Sequence, residues 1–165
     1  MTKEKTIITN QNALRNKAKP VAAADIGTQK IKTLIAEMGE TLSKEADGVA
    51  LAAPQVGAPL RLFIVTGKVM GQDTPKVFIN PELVKRARKK QEMEEGCLSL
   101  RWLYGKVKRS ARVTVEAYDE EGKKFSRGAG GLLAQIFQHE IDHLNGRLFI
   151  DTATDVVNIP PPTPQ

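Results

Sequence analysis

At 165 residues, 41% hydrophobic and 27% charged, the chain has the size and apolar content of one domain with a core of its own. Its single cysteine excludes an internal disulfide framework, and the sequence shows neither a membrane-length apolar run nor the apolar core of a secretory signal, so a cytoplasmic protein is expected. The net charge of +6 is concentrated, because Lys85-Arg86-Ala87-Arg88-Lys89-Lys90 alone carries +5. With 5% aromatic residues and no basic–aromatic interleaving, specific DNA recognition is excluded as a first reading.

Residues 1–27 read as an irregular arm. A helix follows from about Thr28 to Ala46, with Ile31, Leu34, Ile35, Met38 and Leu42 at helical spacing and Asp47-Gly48 as its exit. Strand-like segments then succeed one another: Leu60–Thr66, Lys76–Asn80, Leu83–Lys90, Met93–Leu100, Val107–Tyr118 and Lys123–Arg127. Their close spacing favours an antiparallel sheet. The basic segment falls at the end of one of them. A solvated edge strand that discourages edge pairing is favoured there over a phosphate-binding patch for RNA. A second helix spans about Gly130 to Asn145 and ends at Gly146. Residues 152–165 hold four of the nine prolines and are expected to be an extended, disordered tail behind a single domain of residues 1–151. Strands between two helices give an α+β domain.

Both histidines of the chain lie in His139-Glu140-Ile141-Asp142-His143. At i and i+4 on a helix both imidazoles reach one metal ion, and the acid after the first can take a proton from water beside it. For this composition the coincidence is on the order of one in a thousand. Two imidazoles do not complete a catalytic site, which takes three protein ligands and an open position. The position six residues after His143 is Phe149, so the extended metalloprotease pattern fails. Asp151 and Asp155 are the acidic candidates downstream; Cys97, in Glu95-Gly96-Cys97-Leu98-Ser99, is the candidate upstream. A lone cysteine is commonly a small buried hydrophobe, but a site short of one ligand favours Cys97 as the third.

Three segments resemble the signature motifs of the peptide deformylase family: Gly48-Val49-Ala50-Leu51-Ala52-Ala53-Pro54-Gln55, Glu95-Gly96-Cys97-Leu98-Ser99 and Gln138-His139-Glu140-Ile141-Asp142-His143. They occur in the family's order, and the similarity runs from about Leu14 to Asp151. The resemblance implies an α+β fold with antiparallel β-sheets packed around a central metal-binding helix. It implies removal of the formyl group from N-formylmethionyl nascent chains, with Fe(2+) as metal and Zn(2+) or Ni(2+) as substitutes. Cys97, His139 and His143 would hold the metal, and Glu140 would move the proton. By the same resemblance the Gln55 amide and the Leu98 backbone N–H would face the developing oxyanion, and Arg109 would pair with Asp142. Gly48, Val49, Ala50, Leu132 and Ile136 would meet the substrate. Glu95 reads as structural, and Trp102 as pocket rim or core cover. A monomer is expected, and a ribosome contact, if one forms, would run through the basic segment.

The chain departs from the family at Ala50, where glycine is usual, and at Leu100-Arg101-Trp102, where proline is common. The alternatives are a small metallopeptidase with Asp151 as third ligand, and a weakened homologue that acts as a binding module.

Overall fold

In the computed structural model, which describes residues 2–163, the short helix α1 (Gln11–Leu14) precedes α2 (Gln29–Ser43). The chain continues through β1 (Ala50–Ala52), β2 (Leu62–Val65), α3 (Gly67–Met70), β3 (Lys76–Arg86), β4 (Lys90–Gly96), β5 (Leu103–Ser110), β6 (Arg112–Tyr118), β7 (Lys124–Gly130), α4 (Gly131–Leu144) and β8 (Thr154–Asn158). Two antiparallel sheets form, ordered β1-β2-β3-β6-β7 and β4-β5-β8. Helix α4 packs against strands of both, so the fold is the α+β arrangement expected, with the histidine-bearing helix at its centre. No helix among the described residues is long and apolar enough to cross a membrane.

Strands β1 and β2 are apolar on both faces because a helix covers each face. Ala50, Ala52, Phe63 and Val65 meet Ile136, Phe137 and Ile141 of α4. Leu51, Leu62 and Ile64 meet Ile31, Leu34 and Met38 of α2. This explains why β2 reads as an unbroken apolar run rather than an alternation. Phe137 locks α4 in place, its ring edge-on to Phe78 at 5.0 Å, with Phe78 stacked on Phe63 at 4.7 Å. Truncating Phe137 to alanine would cost about 3–5 kcal/mol through the cavity left behind. A third cluster, Leu14, Leu100, Val107, Leu148 and Phe149, backs the three-stranded sheet.

Several expected boundaries move. Lys76–Arg86 is one strand, and Pro81 sits at a register shift between Ile79 and Glu82, where a missing N–H is tolerated. Asn80 there adopts φ 50°, and its side chain holds both main-chain groups of Val21. The expected strand Val107–Tyr118 is two strands, since the chain leaves one sheet for the other at Ala111, whose N–H donates to the Lys89 carbonyl. The basic segment lies exposed at the β3–β4 turn, and β4 is a sheet edge.

The boundary at Asp151 is a correction. Thr154–Asn158, assigned from sequence to a disordered tail, pair with β5 as β8. Gly105 permits this, because a Cβ there would sit 3.0 Å from Ala153 and 3.1 Å from Val156. A main-chain pairing that leaves every side chain exposed gives no apolar alternation to read. Of the proline-rich tail, Pro164 and Gln165 lie outside the described residues, as does Met1.

Candidate metal centre

Helix α4 carries its apolar residues toward the five-stranded sheet and ends where Gly146, at φ 73°, lets Arg15 approach. A Cβ at Gly146 would lie 2.3 Å from the Arg15 carbonyl oxygen, so only glycine fits. One turn apart on this helix, the rings of His139 and His143 stand 4.9 Å apart. Cys97 arrives on the loop that follows β4, with Sγ 3.3 Å from His143 Nε2. One ligand atom from each of the three residues lies within 4.8 Å of the others.

His139 is aimed by a buried ionic chain. Its Nδ1 meets Glu95 Oε2 at 2.8 Å, which leaves Nε2 for the cluster. Arg109 grips both oxygens of Glu95, at 3.1 and 2.6 Å, and reaches Asp142 Oδ2 at 2.6 Å. Gln135 donates to the Glu94 carbonyl and to Glu95 Oε1, tying α4 to β4. Burial works against the Glu95 carboxylate, but His139 and Arg109 outweigh it and bring the group to about 2. Burial likewise opposes ionisation of Cys97, yet the neighbouring His143 and His139 hold the thiol well below its ordinary value. Desolvation would lower His139; hydrogen bonds to Cys97 and Glu95 instead raise it well above the usual imidazole range. Burial pushes the Glu140 carboxyl up.

These residues fit a divalent metal. A thiolate and two imidazoles suit zinc, iron or nickel. Beside them, Glu140 is 3% exposed and its Oε2 has no hydrogen-bond partner among the described residues. A buried carboxylate oxygen left unpaired is costly, and a general base next to a hydrated cation is the arrangement that accounts for it.

The cluster opens into a cleft of about 330 Å³. Gln55 is held in the wall: Oε1 accepts from the Ala52 N–H at 2.9 Å, and Nε2 donates to Ser99 Oγ at 3.0 Å, 3.7 Å from Cys97 Sγ. Leu98 follows Cys97 in the lining of the cleft, and its N–H has no hydrogen-bond partner among the described residues. Val49 and Leu132 expose apolar surface at the mouth, whereas Ile136 is buried. Gly48 is packed so closely that a Cβ would lie 2.9 Å from Leu42 and 3.2 Å from Leu98. Ala50 lines the cleft, but at 7% exposure its methyl belongs to the core cluster facing α4. Asp151 is not in the cluster; it accepts two hydrogen bonds from Arg15 at 3.0 and 2.9 Å.

Three contributors were not legible as such: Glu95 as the partner of His139, Gln135 as its brace, and Ser99 as the partner of Gln55. Gln135 stands four residues before His139, on the same helical face, and that spacing is the signal that could have found it.

Comparison with known proteins agrees with this geometry. The sequence pattern of the family described as polypeptide deformylase matches residues 4–158. Peptide deformylase 2 of Clostridium acetobutylicum is 41% identical over 150 residues, which cover 91% of this chain and 95% of that protein. The crystal structure of a peptide deformylase from Legionella pneumophila superposes with a TM-score of 0.83 at 41% identity, covering 93% of this chain and 87% of that one. A Met-Ala-Ser-bound class I type b peptide deformylase from Acinetobacter baumannii gives a TM-score of 0.83 at 30% identity, covering 92% and 99%. By the family match over residues 4–158 and 41% identity to a relative across nearly its whole length, the chain belongs to the polypeptide deformylase family of hydrolases.

Proposed function

We propose that the protein hydrolyses the formyl amide at the N-terminus of N-formylmethionyl peptides, releasing formate and a free amine. The observation that carries the reading is the buried Glu140 Oε2, without a partner among the described residues, beside the Cys97, His139 and His143 group in an open cleft. The Acinetobacter baumannii relative bound to Met-Ala-Ser supports a peptide in the corresponding cleft.

Cys97, His139 and His143 would hold the divalent ion, Fe(2+) in the cell, which would supply Lewis acidity toward water and the formyl carbonyl. Glu140, raised by burial, takes a proton from the attacking water and returns it to the departing amine as the C–N bond breaks. The Gln55 Nε2 and the Leu98 N–H donate to the oxygen on which charge develops. Val49 and Leu132 line the mouth for the methionine side chain, with Ile136 beneath, and the peptide extends beside Gly48–Ala52. Glu95, with Arg109 behind it, keeps His139 in the tautomer that presents Nε2.

The catalytic unit is one domain that works as a cytoplasmic monomer, and the exposed Lys85–Lys90 segment gives it a contact for the ribosome. Formate release from formyl-Met-Ala-Ser by iron-loaded protein under anaerobic conditions tests the reading. Absence of turnover replaces it with a binding module. Nickel loading should slow the loss of activity in air, since iron beside a thiolate promotes oxidation of Cys97.

A further inference from the structure

Gln55 sits on a short helical turn, Ala53–Val56, that ends at Gly57 in the left-handed region, φ 84°. The side chain is fixed at both ends by Ala52 and Ser99, but the main chain of the residue has a contact that comes from elsewhere. The Ile8 N–H donates to the Gln55 carbonyl oxygen at 2.7 Å. The Ile8 side chain leans over Gly57 and packs against the cluster of Leu14, Leu100, Leu148 and Phe149, which Cys97 also touches. A single residue of the N-terminal arm therefore lies against the turn that carries Gln55 and against the apolar backing of the Cys97 loop.

The arm is seated deliberately. Three residues earlier, the Lys5 N–H donates at 2.7 Å to Oγ1 of Thr41, a residue 3% exposed in the last turn of α2. Lys5 also pairs with Glu37 at 3.3 Å, and Glu4 with Lys44 at 3.3 Å. The Thr41 hydroxyl donates to the Glu37 carbonyl of its own helix at 2.8 Å, and the arm fills its remaining acceptor position. Between Lys5 and Ile8 the strap thus spans from α2 to the wall of the cleft.

We propose that the N-terminal arm is a positioning element for the reaction, with Ile8 holding the Gln55 turn so that Nε2 faces the reacting oxygen. An oxyanion donor works only if it is placed before the charge develops, so a small displacement of the turn reduces kcat rather than substrate binding. The inference rests on the assignment of Gln55 as an oxyanion donor.

The test is a double-mutant cycle on metal-loaded enzyme with formyl-Met-Ala-Ser, using Ile8→Pro, which removes the N–H, Gln55→Ala, and the pair together. Hydrogen exchange at the Ala52 amide, which donates to Gln55 Oε1, reads the placement of the side chain without reference to activity. Gln55→Ala should lower kcat by about 10²–10³-fold. Ile8→Pro should lower it about tenfold with KM within about twofold, and should speed Ala52 exchange; Ile8→Leu, which keeps the N–H, should restore both. The double variant should be no slower than Gln55→Ala alone, because both act through one group. Parental kcat and parental Ala52 exchange in Ile8→Pro overturn the proposal, as do losses that multiply in the double variant. Should Ile8→Pro not fold, the near-isosteric Thr41→Val frees the arm at its other anchor; unchanged kcat and exchange there overturn the proposal equally. Parental kcat in Gln55→Ala sinks the oxyanion assignment and with it the catalytic consequence, while Ala52 exchange still decides whether the arm positions the side chain.

Discussion

The two imidazoles of the cluster occupy successive turns of one helix and are supported in opposite ways. His139 is held through Nδ1 by Glu95, and behind Glu95 stand Arg109 and Asp142. His143 is 1% exposed, and its Nδ1 has no partner among the described residues; beyond the contact of Nε2 with Cys97 Sγ, packing fixes its ring. One half of the site is thus oriented by charge and the other by packing. Charge support sets a tautomer and responds sharply to one substitution, whereas packing support spreads the work over many neighbours.

Glu140 lies between the two halves, and replacing it asks what they jointly serve. Glu140→Gln should retain metal, measured as bound ion per chain, while formate release falls by about 10²–10⁴-fold. Loss of metal together with unfolding would make it a structural residue instead. Glu95→Ala breaks the charged half alone. It should weaken metal affinity by about 10–100-fold and lower stability by about 3–5 kcal/mol, because Arg109 is left buried with half of its partners. Metal titration and denaturant unfolding read the two effects separately, and parental affinity would show that packing orients both rings.

Ala50 tests the packed side more gently. The family's usual glycine suggests that a methyl here crowds the substrate, but that methyl faces the core between β1 and α4. Ala50→Gly should therefore lower stability by about 0.5–1 kcal/mol and leave KM within about twofold. A clear fall in KM would restore the crowding reading. The smallest effect belongs to Asp151, outside both halves. Hydrogen bonding to Arg15 holds its carboxyl below the ordinary value. Its contribution is present above the unfolded carboxyl value and fades as pH falls through the depressed one. Thermal melts of Asp151→Asn should lose that slight acid dependence and keep all of the metal, in contrast to a third ligand.

How much of this was legible follows from the kind of information each half uses. The histidine pair and Glu140 could be read because a helix repeats every three or four residues, and Cys97 because the site lacked one ligand. The Arg109–Asp142 contact came from family resemblance alone, since nothing local to either residue points to the other. Glu95 read as structural, and it does hold an ion pair, but its second oxygen on His139 depends on how β4 lies beside α4. Strand β1 escaped because three buried residues carry no period, and β8 because none of its side chains is buried. Pro81 suggested a break that the register shift absorbed.

The closeness of Gly146 to Arg15 carries a consequence for the order of events in folding. The end of α4 closes on a chain segment far upstream, and the neighbouring Arg15–Asp151 pair joins residues 136 positions apart. Contacts of such long range come late and slowly, after the entropy of closing a large loop has been overcome. During synthesis, α2 and strands β1 to β7 all emerge while α4 is still missing, but the ligand set cannot form without it. A growing chain of this protein therefore stays unable to capture its metal until Gly146 has emerged, and the thiol of Cys97 waits through that interval with neither histidine beside it.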